Sequence, residues 1–366
     1  MRAFPCGDGL VLPAERERLL VLDAHAANIW RAFDAGIPAS EIVAAISRGQ
    51  PETVARVEQD VSALIAAWTI AADADPGRGQ SDPETLLPAG PAAWAGEWRC
   101  RLRGAVFEIA VEHPRHAGVL ARWIERFPAS DRASETRIEV RVEADELTVT
   151  TVDGVVRGRG YGLQQAIRAM IGLAWPEHEV VAMLHAGAVA GPQGGLCIAG
   201  VSGSGKSTLI GALVRAGYDY RSDDAVPLTM AGKALPWPLP LSVKEASWPL
   251  FAERFPALRT ATTYKVKNTR ARMVELGAPV WPEPQPVGAL IFPHFRPGDT
   301  PESEPVSALN ALQRLIEAGL SVEAPVTDAR IEALIGWIER TPAFTLPYGD
   351  VAAAVERVNA LTLAAR

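Results

Sequence analysis

Eight consecutive residues, Gly200-Val-Ser-Gly-Ser-Gly205-Lys206-Ser207, constrain the fold of this chain more than any other stretch. They fit the P-loop pattern G-x-x-x-x-G-K-[ST] at every position, a pattern that belongs between a strand and a helix. Glycines let successive backbone N–H groups point into one cavity, a lysine reaches the terminal phosphates of a nucleotide, and a serine hydroxyl can ligate magnesium. Both flanks have the required character. Leu196-Cys-Ile-Ala199 is a short apolar run that reads as a buried strand, and Thr208 to Ala216 reads as a helix closed by Gly217. The helix N-terminus then places a partial positive charge under the phosphates. The sequence predicts an α/β fold around a nucleotide-phosphate site formed by Gly200, Ser202, Gly203, Ser204, Gly205, Lys206, Ser207 and Thr208.

A chain of 366 residues has room for two or three domains. Hydrophobic content of 48% with 22% charged residues is that of a globular protein. No run approaches the roughly 18 apolar residues of a spanning helix, and the first residues are not those of a signal peptide. The expectation is a cytoplasmic protein without a membrane partner. Cys6, Cys100 and Cys197 are far apart and read as small hydrophobes, not as metal ligands or a disulfide framework. A net charge of -7 argues against a general nucleic-acid binder.

The first residues read as a small independent module. Leu19-Leu-Val-Leu22 is a short strand, and Asp23 then caps a helix with Ile29, Trp30 and Phe33 on one face. Gly36-Ile-Pro38 breaks it, Ser40 to Ile46 starts a second helix, and Pro51 to Ala72 gives a third. This outline is winged-helix-like, and the string Leu22-Asp-Ala-His-Ala-Ala-Asn28-Ile-Trp30 resembles the PqqD-like family. That resemblance implies that residues 1–75 bind the leader of a ribosomally made precursor peptide, added as a strand at the edge of the hairpin. A plain helical docking module is the alternative. Ala74 to Pro91 is rich in Asp, Pro, Gly and Ser and reads as a linker. Beyond it, Trp98 to Glu112 suggests two strands, Ala117 to Phe127 a helix, Thr136 to Asp153 a hairpin and Leu163 to Leu173 another helix. The expected division is 1–75 peptide-binding module, 76–95 linker, 96–175 smaller α/β region and 176–366 P-loop domain.

Downstream of the P-loop, Asp223 and Asp224 stand side by side. Phosphoryl transfer to a hydroxyl uses one carboxylate in the magnesium shell and another to accept the proton, and two adjacent aspartates can supply both. In an extended chain they would point to opposite faces, so the pair must lie in a turn if both face the phosphates, and taken alone the pair reads as a solvated Asp-Asp turn. The stretch Leu184-His185-Ala-Gly-Ala-Val189, the P-loop and Arg215-Ala-Gly217-Tyr-Asp-Tyr-Arg-Ser-Asp223-Asp224-Ala-Val226 together resemble the bacterial HPr kinase/phosphorylase family, which shares its nucleotide fold with phosphoenolpyruvate carboxykinases. The resemblance implies a kinase core in which Lys206 holds phosphates, Ser207 and Asp224 serve Mg2+, Asp223 is the general base and His185 supports that centre. Taken alone, His185 reads as a core histidine. Leu235-Pro-Trp-Pro-Leu-Pro240-Leu-Ser-Val-Lys244 resembles a proline-rich segment of the kinase relatives, and Pro286 to Gly298 their later strand and loop. Arg259, Lys265, Lys267, Arg270 and Arg272, in a stretch without acidic residues, suit either a cover over an anionic ligand or a solvated basic loop.

The family segment L-E-h-R-G-h-G has no counterpart after the Asp-Asp pair, so the resemblance does not extend to phosphorylase activity or to HPr as acceptor. The expectation is an ATP-dependent kinase that phosphorylates a hydroxyl, preferably a serine of a precursor peptide in natural-product maturation. A kinase for a small hydroxyl compound such as free serine is one alternative, and a non-catalytic nucleotide-binding regulator or peptide chaperone is another. The HPr kinase family is oligomeric, which leaves a homo-oligomer open here.

Overall fold

The structure, a computed structural model, describes residues 2–14, 18–47, 54, 57–65, 80–81, 93–134, 136–143, 146–151, 154–158, 162–192, 194–252, 255–266, 269–276 and 281–364. Strands Phe4–Cys6, Gly9–Ala14 and Arg18–Leu22 form an antiparallel sheet in sequence order. Gly7, at φ 57, makes the first turn, which adds a strand to the expected hairpin. The Asp23 side chain accepts from the Ala26 N–H at 2.8 Å and caps the Ala24–Asp34 helix, and the Ala39–Ser47 helix follows. Of the helix expected over Pro51 to Ala72, residues 54 and 57–65 are described and helical. Its remainder lies outside the described residues, as does most of the linker apart from the Gln80–Ser81 strand.

Alternation along the first strands decides how this sheet is used. Leu10, Leu12 and Leu22 pack with Ile29, Trp30, Ile42 and Val43 of the adjoining helices. Phe4, Cys6, Val11 and Leu19 share a second core with Leu309, Leu312, Leu315, Ile331 and Leu334, from the helices Ala308–Ala318 and Asp328–Arg340 far along the chain. A sheet buried on both faces needs apolar residues at every position, which is why Leu19-Leu-Val-Leu22 runs without a polar break. One face of the sheet is therefore a layer of the core that the helices Ala308–Ala318 and Asp328–Arg340 complete. Arg2 pairs with Asp328 and Glu332 at the margin of this contact.

A second sheet is ordered Gln80–Ser81, Gly154–Gly158, Glu146–Thr151, Thr136–Glu143, Ala105–Val111, Gly96–Leu102. Ala105–Val111 and Thr136–Glu143 are parallel and are joined through the Pro114–Ile124 helix, a βαβ unit. The hairpin expected over Thr136 to Asp153 gains a third strand, Gly154–Gly158. Phe107, Ile109, Leu120, Ile138, Met170 and Trp175 fill its core together with Leu235, Trp237 and Leu239 of the proline-rich segment.

The largest sheet carries the P-loop. Asp219–Ser222, Ala186–Gly191, Gly194–Ala199 and Gln285–Phe295 lie side by side, and the last also pairs with Ala343–Tyr348. Gly194–Ala199, Gln285–Phe295 and Ala343–Tyr348 are parallel, so their carboxyl ends reach one edge, where open α/β sheets bind ligands. Leu196 and Ile198 face a core with Leu209, Ile210, Leu213, Ala354 and Val358 of the helices Lys206–Arg215 and Val351–Ala364. Cys197 and Ala199 face the opposite core, against the two C-terminal helices that carry the N-terminal sheet. The chain is thus a mixed α/β protein with several sheets. Among the described residues, no helix is long and apolar enough to cross a membrane.

Candidate active site

The Gly194–Ala199 strand ends where the P-loop begins, and the helix starts at Lys206, two residues earlier than the sequence suggests. Gly203 at φ 94 and Gly205 at φ 93 take the left-handed conformation that lets the loop fold back on itself. Gly205 occupies the N-cap position without a side-chain cap, which leaves the first amides of the helix to another acceptor. Ser204 is buried, and its hydroxyl oxygen has no hydrogen-bond partner. The loop is braced from outside: the Phe295 N–H donates to the Ser204 carbonyl at 3.0 Å, and the Tyr348 hydroxyl donates to the Gly205 carbonyl at 2.9 Å. The Thr208 hydroxyl lies 3.2 Å from that of Ser247.

Lys206 is the centre of the site. Its ammonium donates to Asp223 Oδ1 at 2.7 Å and to Asp224 Oδ1 at 2.6 Å. Both aspartates reach one cation because the strand ends at Ser222 and Asp224 sits at φ 62, in the left-handed region. That is the turn demanded by two adjacent carboxylates on one face. Asp is among the few residues that tolerate this conformation, and such strain clusters at functional sites. The Asp223 side chain is fully buried and also accepts from the Ser207 hydroxyl at 3.1 Å and the Ser242 N–H at 3.3 Å. Asp224 is 43% exposed. The His185 Nδ1 lies 3.2 Å from the Asp224 carbonyl oxygen, and its Nε2 lies 3.9 Å from Asp224 Oδ1.

Long-range packing aims the pair. The Ser222 hydroxyl donates to the Trp237 carbonyl at 2.9 Å, the Trp237 N–H donates to the Arg221 carbonyl at 3.1 Å, and the Tyr220 hydroxyl donates to the Leu239 carbonyl at 2.6 Å. The proline-rich segment therefore clamps the Asp219–Ser222 strand, directly before Asp223. The chain then enters the Leu241–Lys244 strand, and the Lys244 ammonium donates to the Ser202 hydroxyl on the P-loop. Sequence reasoning left Lys244 without a role and did not single out Ser242 or Tyr348, whose proximity to the loop is purely spatial. Arg270 pairs with Glu245, and Arg272 lies over the Trp248 ring while donating to Thr263 and the Leu258 carbonyl. Lys267 lies outside the described residues.

The electrostatics divide the two carboxylates. Burial raises the pKa of Asp223, the charge of Asp224 raises it further, and Lys206 only partly offsets them, so the group stays above its ordinary value. Burial acts in the same sense on Asp224, but the charges of Lys206, His185 and Lys244 outweigh it and hold the group below its ordinary value. Burial alone would lower the Lys206 pKa, and the two carboxylates reverse that and raise it. Burial pushes the thiols of Cys6 and Cys100 up to about 11 and that of Cys197 up to about 12, so all three are inert as ligands near neutral pH.

The residues fit a nucleotide phosphate chain and a hard divalent cation. The uncapped helix start, the two left-handed glycines and the orphaned Ser204 hydroxyl form a cradle for anionic oxygens. Among the described residues, no group of three or more His, Cys, Asp or Glu forms a metal site of its own. Magnesium would be held here by a hydroxyl, one or two carboxylates and the phosphates themselves.

No protein-family model matches the chain. No curated protein matches it either. Among solved structures it matches the Hpr(Ser) kinase/phosphatase from Coxiella burnetii, at 12% identity over 50% of this chain and 98% of that one, with a TM-score of 0.24.

Proposed function

We propose that this chain is an ATP-dependent kinase that transfers a phosphoryl group to a hydroxyl, with a serine of a ribosomally made peptide as the favoured acceptor. The observation that carries this reading is the Lys206 ammonium shared between Asp223 and Asp224 at the start of a P-loop helix. A purely structural lysine has no need of two carboxylates, one buried and one open to an incoming group.

Ser207 and Asp223 would hold magnesium, because the buried carboxylate is the one bonded to the P-loop hydroxyl. Asp224 would take the acceptor proton, because it is the half-exposed member and lies beside His185. This exchanges the roles that the resemblance implied for the two aspartates. When bound, magnesium would neutralise charge on the phosphate oxygens. Lys206 turns from the carboxylates to the phosphates, and Asp224, relieved of that cation, becomes a stronger base. The acceptor oxygen then bonds to the γ-phosphorus, its proton passes to Asp224, and the bond to the bridging oxygen breaks to leave ADP. Lys244, on the rim beside Ser202, adds positive charge where the transferring group would carry negative charge.

The peptide assignment is supported by the N-terminal sheet. Among the described residues, no strand pairs with the outer edge of Arg18–Leu22, so an extended peptide has a free edge to join. Holding a leader there would raise the local concentration of the acceptor at Asp224. The test is incubation with ATP, magnesium and short peptides encoded near this protein, followed by mass spectrometry. A phosphate mass increment that disappears in Lys206→Ala and Asp224→Ala supports the proposal. Phosphorylation of free serine or another small hydroxyl compound, but of no peptide, would retain the kinase and remove the peptide.

A further inference from the structure

Among the described residues, the exposed large apolar side chains are Ile37, Val54, Val201 and Phe295, and the last two flank the P-loop. Val201 is the second residue of the loop itself. Phe295 ends the strand parallel to Gly194–Ala199, so it leaves the sheet at the edge where the loop begins. Pro293, two residues before it, approaches within 3.9 Å of the position of a Cβ on Gly200.

Phe295 is 41% exposed yet firmly placed. Its N–H is bonded to the Ser204 carbonyl, and its ring meets Tyr348 edge-on, with centroids 5.4 Å apart and planes at 62°. The next turn is closed by Arg296 N–H to the Tyr348 carbonyl at 3.0 Å, Asp299 N–H to the Arg296 carbonyl at 3.1 Å and Gly349 N–H to the Asp299 carbonyl at 2.8 Å. A Cβ on Gly349 would lie 2.5 Å from the Gly298 nitrogen, so this turn has no slack. An aromatic ring left in water on a rigid rim is preorganised for a flat partner, since no ordering is required when the partner arrives.

We infer that Phe295 is the nucleobase platform of this site: the base of a nucleoside triphosphate stacks on the Phe295 ring while its phosphates lie on the loop. The inference rests on the reading of the P-loop as a triphosphate cradle and adds what recognises the rest of the nucleotide. Stacking uses the π-face that every base has, so ATP and GTP bind alike, whereas inorganic tripolyphosphate gains nothing from the ring.

Isothermal titration of the full chain with magnesium, using ATP, GTP and tripolyphosphate, tests this on Phe295→Ala and Phe295→Trp. Phe295→Ala should weaken ATP and GTP about tenfold to a hundredfold and leave tripolyphosphate within about twofold of the native chain, while Phe295→Trp retains ATP. Unchanged tripolyphosphate binding also reports that the variant is folded. The platform is overturned if Phe295→Ala binds ATP as the native chain does. It is equally overturned if ATP and tripolyphosphate weaken in parallel, since the ring then only braces the loop. If the native chain binds neither ligand, the cradle itself falls and the platform falls with it.

Discussion

Ser207 donates its hydroxyl hydrogen to Asp223, at 3.1 Å, and so pairs with the buried member of the aspartate pair and not with the exposed one. The Asp223 side chain is fully buried, whereas that of Asp224 is half exposed and open to an acceptor. The two Asn variants should therefore separate binding from transfer. Asp223→Asn should lose magnesium-dependent ATP binding. Asp224→Asn should keep it while single-turnover phosphoryl transfer falls by about 10²–10⁴. Equal loss of ATP affinity in both variants would return the pair to a single shared role.

The same division sets opposite signs for stability. The folded-state pKa of Asp223 lies above the ordinary 3.8, so the ionised group opposes folding at neutral pH, and that penalty fades as pH falls through the raised value. The folded-state pKa of Asp224 lies below 3.8, so its contribution is present above that value and is lost as pH falls through the depressed one. At pH 7 Asp223→Asn should be at least as stable as the native chain and Asp224→Asn less stable, both differences shrinking in acid. Loss of the Asp224 charge also relieves Asp223, which trims the second effect. Urea midpoints at pH 7 and at steps toward pH 3 would show it. A site that trades stability for chemistry has this signature.

Lys206 compensates both carboxylates, so its removal leaves negative charge in a buried place. Lys206→Ala should destabilise the fold by about 3–5 kcal/mol, toward the lower end because Asp223 can take up a proton. Adding Asp223→Asn to Lys206→Ala should recover part of the loss, and a double-mutant cycle from denaturant curves measures the coupling. Additive single effects would mean that the pair contributes nothing jointly.

The parts of the site legible in sequence are those fixed by local backbone geometry. Two of the three P-loop glycines, Gly203 and Gly205, occupy left-handed positions, and the need for a turn at Asp223-Asp224 follows from the alternation of an extended chain. Which aspartate meets Ser207 depends instead on how the Asp219–Ser222 strand registers on Ala186–Gly191 and on the grip of Trp237 and Leu239, contacts that no local pattern encodes. The third strand of the central region, Gly154–Gly158, is short and is defined by its pairing with Glu146–Thr151. Leu19-Leu-Val-Leu22 has no polar alternation, the pattern of a strand covered on both sides, and its residues are divided between two cores.

That double burial yields a last expectation, at the contact between Gly9 and Leu309. A Cβ on Gly9 would lie 2.6 Å from Leu309 Cδ2, so the N-terminal sheet and the Ala308–Ala318 helix meet without a gap. Phe4, Cys6, Val11 and Leu19 are buried in this shared core, and each large apolar side chain so placed contributes roughly 1.5–3 kcal/mol. The N-terminal strands and the P-loop domain should therefore unfold in one transition. Leu309→Ala should destabilise that transition by about 2–5 kcal/mol. Hydrogen exchange should show protection falling together in Arg18–Leu22 and Asp328–Arg340; a fall confined to Asp328–Arg340 would mean that the module folds by itself. Deleting the first strands would expose the apolar face of Leu309, Leu312 and Leu315 and yield an aggregating chain. Loss of turnover on such a deletion says nothing about peptide binding, which is better tested by proline substitution at the open edge of Arg18–Leu22, where a strand partner would need the backbone N–H.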